Sequence, residues 1–157
     1  MLSKKSKYAI KALVALAKKY ELGPVLISEI SEKERIPKKF LEAILLEFRK
    51  SGILGSKMGV GGGYYLIKSP KDVMLSSVLR LTDGPISLTP CVSLNFYERC
   101  EECTDEMTCG LRDVAKEVRD ASLQILSNTS LADLIKREHR LEKSTKETKK
   151  KLKKNKK

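Results

Sequence analysis

The residues best able to do chemistry are four cysteines, Cys91, Cys100, Cys103 and Cys109, spaced C-x8-C-x2-C-x5-C in a chain of 157 residues with no other cysteine. Thiolates are soft ligands, and four of them on one short segment point to a metal centre. Structural zinc commonly takes two C-x2-C pairs, and only Cys100 and Cys103 form one. Irregular spacing on a loop suits an iron–sulfur cluster, [2Fe–2S] or [4Fe–4S], with zinc as the alternative. A reversible Cys100–Cys103 disulfide would instead make a cluster-free thiol switch. Glu98, Glu101, Glu102, Asp105 and Glu106 crowd the thiols, and their negative potential should raise thiol pKa and work against an anionic site.

A structural disulfide framework is not expected. Lys11 and Lys18 bound the apolar run Ala12–Ala17, so no signal peptide is read, and no stretch reaches the ~20 apolar residues of a membrane span. The reading is a cytoplasmic protein whose thiols stay reduced, with no membrane partner. His139, the single histidine, sits in a basic segment far from the cysteines and reads as a surface residue. Nothing assembles a nucleophile, base and orienting acid, so the chain is not expected to be an enzyme. The loop Gly59-Val60-Gly61-Gly62-Gly63-Tyr64 has Tyr where a dinucleotide loop needs its last glycine, and no Gly-Lys-Ser/Thr follows.

The elements that must position these residues are mainly helical. Ala9, Ala12, Leu13, Leu16 and Ala17 recur at helical spacing between Tyr8 and Tyr20. After Gly23-Pro24, Ser28 can cap a short helix with Glu29 in its first turn, and Pro37 can open another at its first helical position. That helix buries Leu41, Ile44, Leu45 and Phe48, turns Lys38, Lys39 and Glu42 outward, and ends at Gly52. Helix, tight turn and helix with polar N-terminal residues describe a helix-turn-helix. Ile53–Lys57 and Tyr64–Lys68 read as a β-hairpin, a wing, and Leu75, Val78, Leu79 and Leu81 as a short helix stopped at Gly84-Pro85. The cysteine segment reads as a loop. From Gly110, Leu111, Val114, Val118, Ala121 and Ile125 form a narrow seam suited to an identical helix, and a last helix runs from Leu131 to about Leu141. The organisation read is a winged helix-turn-helix over residues 1–84, a cysteine-rich sensor loop over 85–110, dimerisation and C-terminal helices over 111–141, and a disordered lysine-rich tail over 142–157.

Charge follows these divisions. The chain carries +12 overall: +8 over residues 1–72, −4 over 73–142 and +8 over the last fifteen residues. Two basic blocks argue for a polyanion, because each neutralised phosphate releases counterions. Double-stranded DNA is the first candidate and an anionic membrane surface the second. Lys38 and Lys39 suit phosphate and Glu42 a cytosine amino group, while Ser28, Pro37, Phe40 and Lys57 lie along the same surface. The tip around Val60, Gly61 and Gly62 suits the minor groove. A zinc-stabilised RNA-binding or protein-interaction module that uses the basic tail is the alternative from another class.

These residues resemble the Rrf2 family of bacterial winged-helix regulators. The likeness runs from about Leu2 to Leu134. It rests on Ile27-Ser28-Glu29-Ile30-Ser31, Ile36-Pro37-Lys38-Lys39-Phe40-Leu41-Glu42, the Gly59–Tyr64 wing, and Thr129-Ser130-Leu131-Ala132-Asp133-Leu134. The resemblance implies a homodimer paired through a long C-terminal helix, a roughly palindromic operator, and control through the cysteine loop, so that a repressor would answer to redox, nitric oxide or iron–sulfur status. It also marks departures. Cluster-binding members commonly carry three evenly spaced cysteines and often a histidine soon after the last. Here Cys91, Cys103 and Cys109 take those places approximately, Cys100 is added, and Arg112 stands where the histidine would fall, which favours an all-cysteine site. Met58 occupies a wing position often held by arginine, with Lys57 beside it.

Overall fold

The computed structural model describes the backbone of residues 2–154 and side chains through residue 148. Helix α1 (Lys4–Ala17) starts on Ser3, whose hydroxyl accepts from the Ser6 N–H, four residues earlier than its apolar stripe indicates. Helices α2 (Ile27–Glu34) and α3 (Lys38–Lys50) follow, then strands β1 (Leu54–Lys57) and β2 (Gly63–Leu66), helix α4 (Leu75–Asp83), a 3-10 turn at Pro90–Val92, helix α5 (Gly110–Ser127) and helix α6 (Leu131–Lys154). The fold is therefore mainly α with one small antiparallel hairpin, paired from Leu54 with Leu66 to Lys57 with Gly63.

One core joins α1 to the helix-turn-helix. Ala9 and Ala12 are fully buried, and their lack of bulk lets α1 lie close against Leu41, Ile44, Leu45 and Phe48 of α3. The turn between α2 and α3 needs no glycine. Arg35 takes the left-handed conformation at φ +54°, and the Ile36 N–H then reaches the Ser31 carbonyl at 3.0 Å, closing the helix end. The Ser31 hydroxyl donates to the Ile36 carbonyl at 2.7 Å and braces the same turn.

Two caps differ from the sequence reading. Helix α2 begins at Ile27, so Ser28 lies inside its first turn and Leu26 is the cap. Pro37 is likewise the cap of α3, one position before its first helical residue. The observed cap of α2 lies two residues before Ser28 and the first helical residue of α3 one after Pro37, and neither helix has a side-chain cap.

The chain also returns to its starting body after α5. The Leu75 N–H donates to Thr129 and the Leu131 N–H to Val73, at 2.9 and 3.0 Å, and fully buried Leu131 packs with Leu134 and Ile135 in the core of α1. The Ser130 N–H and hydroxyl donate to Asp133 at 3.1 and 2.6 Å, which fixes the start of α6. Residues 131–135 thus share the core assigned to residues 1–84.

Beyond Leu141 the segment read as disordered is helical as far as Lys154. It contains no Pro or Gly, lysine is a good helix former, and the hydroxyls of Ser144, Thr145 and Thr148 donate to carbonyls of their own helix at 2.8–2.9 Å. Residues 155–157 lie outside the described residues. Among the described residues, no helix is long and apolar enough to cross a membrane.

Candidate functional site

The first surface is built around α3. Lys38, Lys39, Phe40 and Glu42 are exposed on its first turns, Pro37 is exposed just before them, and that turn contains no acidic residue. With no side chain capping the helix, its first N–H groups and its positive end are free to meet an anion. Phe40, 43% exposed, is held from behind by Tyr8, edge to face with ring centres 5.7 Å apart. Ser28 is exposed on the neighbouring α2.

The hairpin is joined to this surface at two places. Val25, just before α2, exchanges backbone hydrogen bonds with Tyr64 at 2.8 and 2.9 Å. Arg49 of α3 donates from Nη1 to the Ser56 hydroxyl at 3.2 Å. Arg49 was not legible as a functional residue, because its role depends on the strand folding back beside the end of α3. Lys57, Met58, Val60 and Gly61 project outward, with Met58 93% exposed and Val60 fully exposed. Gly62 does not join them. It is buried in the tip, donating its N–H to Gly59 at 3.0 Å, and a Cβ there would stand 2.4 Å from the Lys57 carbonyl oxygen. It shapes the tip and presents no surface of its own.

The second site is the thiol loop. Cys91 is buried in the 3-10 turn and packs with Val92, Ala115 of α5 and the half-buried Cys100. Cys103 and Cys109 are half-buried, and all four thiols are free. The Cys100 thiol is pushed above its ordinary pKa first by hydrogen bonding with the Cys91 thiol, then by partial burial and by the negative potential of Cys91, Cys103 and Cys109. The sequence also crowds five carboxylates around the loop. Two of the five are engaged locally. Glu106 accepts from the Tyr97 hydroxyl at 2.6 Å and lies 3.7 Å from Arg112, and Asp105 accepts from the Met107 N–H and the Thr108 hydroxyl. Glu98, Glu101 and Glu102 are exposed to water, which screens them.

Helix α5 supports the thiols from below. Cys109 is its N-cap, its sulfur accepting from the Arg112 N–H at 3.4 Å. Arg119 donates to the Val92 carbonyl at 2.6 Å and pairs with Asp120, fastening the Cys91 turn to the helix. Arg112, in the place of the expected histidine, has a buried Nε with no hydrogen-bond partner among the described residues. Neither arginine role is visible in the sequence, since 27 residues separate Val92 from Arg119.

The donor set suits a thiophilic metal centre by its chemistry: four soft sulfurs on one segment, two of them, Cys91 and Cys100, packed together. It is not a finished coordination shell, because among the described residues no three His, Cys, Asp or Glu side chains stand together as a metal-holding group. His139 is exposed on α6. The seam of α5 is also exposed, with Leu111, Val114, Val118 and Ile125 at 68, 56, 40 and 61%, and Ala115 is the one buried residue of that helix.

The family profile described as an iron-dependent transcriptional regulator, Rrf2, matches residues 2–137. An HTH-type transcriptional regulator described as rrf2-like, from Rhodobacter capsulatus, is 41% identical over 138 residues, covering 86% of this chain and 92% of its own. The HTH-type transcriptional regulator IscR of Erwinia tasmaniensis is 30% identical over 134 residues, covering 85% and 78%. Among solved structures, CymR, the global cysteine regulator of B. subtilis, superposes with a TM-score of 0.71 at 28% identity, covering 85% of this chain and 95% of that one. These relatives are DNA-binding transcriptional regulators and not enzymes, and the chain belongs to the Rrf2 family.

Proposed function

We propose that this regulator binds a palindromic operator in the cytoplasm as a homodimer and represses transcription in response to redox, nitric oxide or iron–sulfur status, through a cluster held by Cys91, Cys100, Cys103 and Cys109. The observation that carries the sensor reading is the packing of Cys91 against Cys100 on the segment that also presents the free, half-buried thiols of Cys103 and Cys109. When bound, the cluster supplies a redox-active and nitric-oxide-reactive centre. The protein's part is mechanical and electrostatic. Arg119 holds the Cys91 turn on α5, and Cys109 ends that helix, so a change in the position of either sulfur bears on α5. The exposed seam of α5 is the pairing surface, and its orientation sets the spacing between two α3 helices on successive major grooves. Lys38 and Lys39 contact phosphate, Glu42 reads a base edge, Ser28 and Lys57 add backbone contacts, and Val60 and Gly61 enter the minor groove.

The test is anaerobic purification with an ultraviolet-visible spectrum and iron and sulfide assays. Visible absorption with both elements is expected, and is expected to be lost in Cys91→Ser and Cys109→Ser. Colourless protein free of iron and sulfide after reconstitution would rule the cluster out. A cluster-free thiol switch is the second reading, favoured by the contact between Cys91 and Cys100, which makes Cys91 a better disulfide partner for Cys100 than Cys103. Peptide mapping after mild oxidation distinguishes the two pairings.

A further inference from the structure

The C-terminal part of α6 takes no part in either site described above. Its first turns are fastened to the body by Leu131, Leu134 and Ile135, and by Glu138, which pairs with Lys18 at the end of α1 at 2.6 Å. From His139 to Thr148 every side chain is exposed. Arg140, Lys143 and Lys146 lie on this stretch, and Lys149, Lys150, Lys151, Lys153 and Lys154 follow them along the same helix.

The place where α6 leaves the body decides what these cations can reach. Lys18 holds Glu138, and the next residues, Lys19 and Tyr20, line a cleft together with Ser56, Lys57 and Tyr65 of the hairpin. The end of α1 therefore neighbours both α6 and the base of the wing. Residues 142–154 extend the helix by about 20 Å, the length of about six base pairs.

We propose that this part of α6 is a second DNA-contacting arm, which grips the phosphates flanking the operator beyond the wing without reading bases. The inference rests on the DNA-binding reading above. Three features favour duplex DNA as the partner. The base of the arm is tied through Glu138 to the end of α1, whose next residues border the hairpin cleft. Leu141 and Leu152 are the only large apolar residues after His139, too few to enter a membrane. The hydroxyls of Ser144, Thr145 and Thr148 are spent on their own helix, which leaves mainly lysines, point charges suited to phosphate.

The experiment compares the full chain with a chain ending at Glu142 and with a full-length variant carrying Lys149→Gln, Lys150→Gln, Lys151→Gln, Lys153→Gln and Lys154→Gln. An operator selected from random duplex DNA by the full chain is the probe. Anisotropy titrations across a range of KCl give the salt slope, and hydroxyl-radical footprints give the protected length. If each arm of a dimer neutralises about two phosphates, both variants lose about 3 to 4 from the slope and the protection of about six base pairs on each outer flank, while protection under the wings and α3 remains. Unchanged slope and flanks in both variants overturn the arm. Binding to structured RNA or phosphatidylserine vesicles that is weakened by the truncation, with DNA binding untouched, overturns it as well. If the full chain selects no DNA, the DNA-binding reading itself falls, a result distinguishable from failure of the arm alone.

Discussion

Replacing Gly63 by alanine separates two contributions to the attachment of the wing. Gly63 sits at φ +145°, and a Cβ there would stand 2.2 Å from the Val25 carbonyl oxygen and 2.5 Å from its carbon. Both neighbours are backbone and cannot swing aside, so the extended segment before α2 must move away from β2. That movement breaks the reciprocal Val25–Tyr64 hydrogen bonds of 2.8 and 2.9 Å. Each bond is worth about 0.5–1.5 kcal/mol net. A side chain at a backbone conformation reserved for glycine adds about 1–3 kcal/mol, giving a loss of about 2–6 kcal/mol, centred near 4. Gly61 is the internal control: it lies at φ +72° with open space around it, so alanine there carries the backbone cost alone, about 1–2 kcal/mol. Urea unfolding of the two variants reads the difference, expected to be about 2 kcal/mol. Equal losses within about 0.5 kcal/mol would refute the claim that the Val25 bridge holds the wing.

Lys38→Ala with Lys39→Ala should weaken operator binding and lower the salt slope by about 3 to 4 for a dimer, read by anisotropy in KCl; an unchanged slope would remove α3 from the phosphate contacts. Val118→Glu, in the middle of the exposed α5 seam, should raise the dimer dissociation constant at least ~10-fold in sedimentation equilibrium, and a persistent dimer would place pairing elsewhere. The Asp133 carboxyl is held down from its ordinary 3.8 to about 2 by hydrogen bonds from the Ser130 hydroxyl and N–H. A depressed folded-state pKa stabilises above the unfolded value, so this contribution is present above about pH 4 and is lost as the pH falls towards 2. Thermal melts from pH 5 to 2 should fall less steeply in Asp133→Asn, and parallel curves would contradict the assignment.

The sequence made the helix-turn-helix legible because Leu41, Ile44, Leu45 and Phe48 bury one face at helical spacing while Lys38, Lys39 and Glu42 stay outside. The hairpin was legible from its glycines. Helix boundaries were less so. The Arg35 turn uses a left-handed arginine where pattern reading looks for glycine, and the offset at Ser28 and Pro37 depends on where the preceding chain docks. The return of Leu131 to the first core could not be read, because the hydrogen bonds that bring it back join Thr129 and Leu131 to residues more than fifty positions earlier. The same holds for the thiol loop. Its residue types raise the expectation of a metal or redox site, but the contact of Cys91 with Cys100 and their packing against α5 exist only once the loop is folded. Sequence proximity likewise says nothing of whether the neighbouring carboxylates face water, as Glu98, Glu101 and Glu102 do.

Helix α5 is secured differently at its two ends. Its C-terminal end runs into a backbone-bonded junction, where Thr129, Ser130 and Leu131 lock onto Val73, Met74 and Leu75. Its N-terminal end rests on a sulfur cap and on one arginine holding a short turn. In engineering terms it is a beam clamped at one end and carried on an adjustable bearing at the other, with the exposed seam proposed for pairing along its middle. Tightening the bearing would tilt the helix without loosening the clamp, and the clamped end, through Leu131, shares its core with α3.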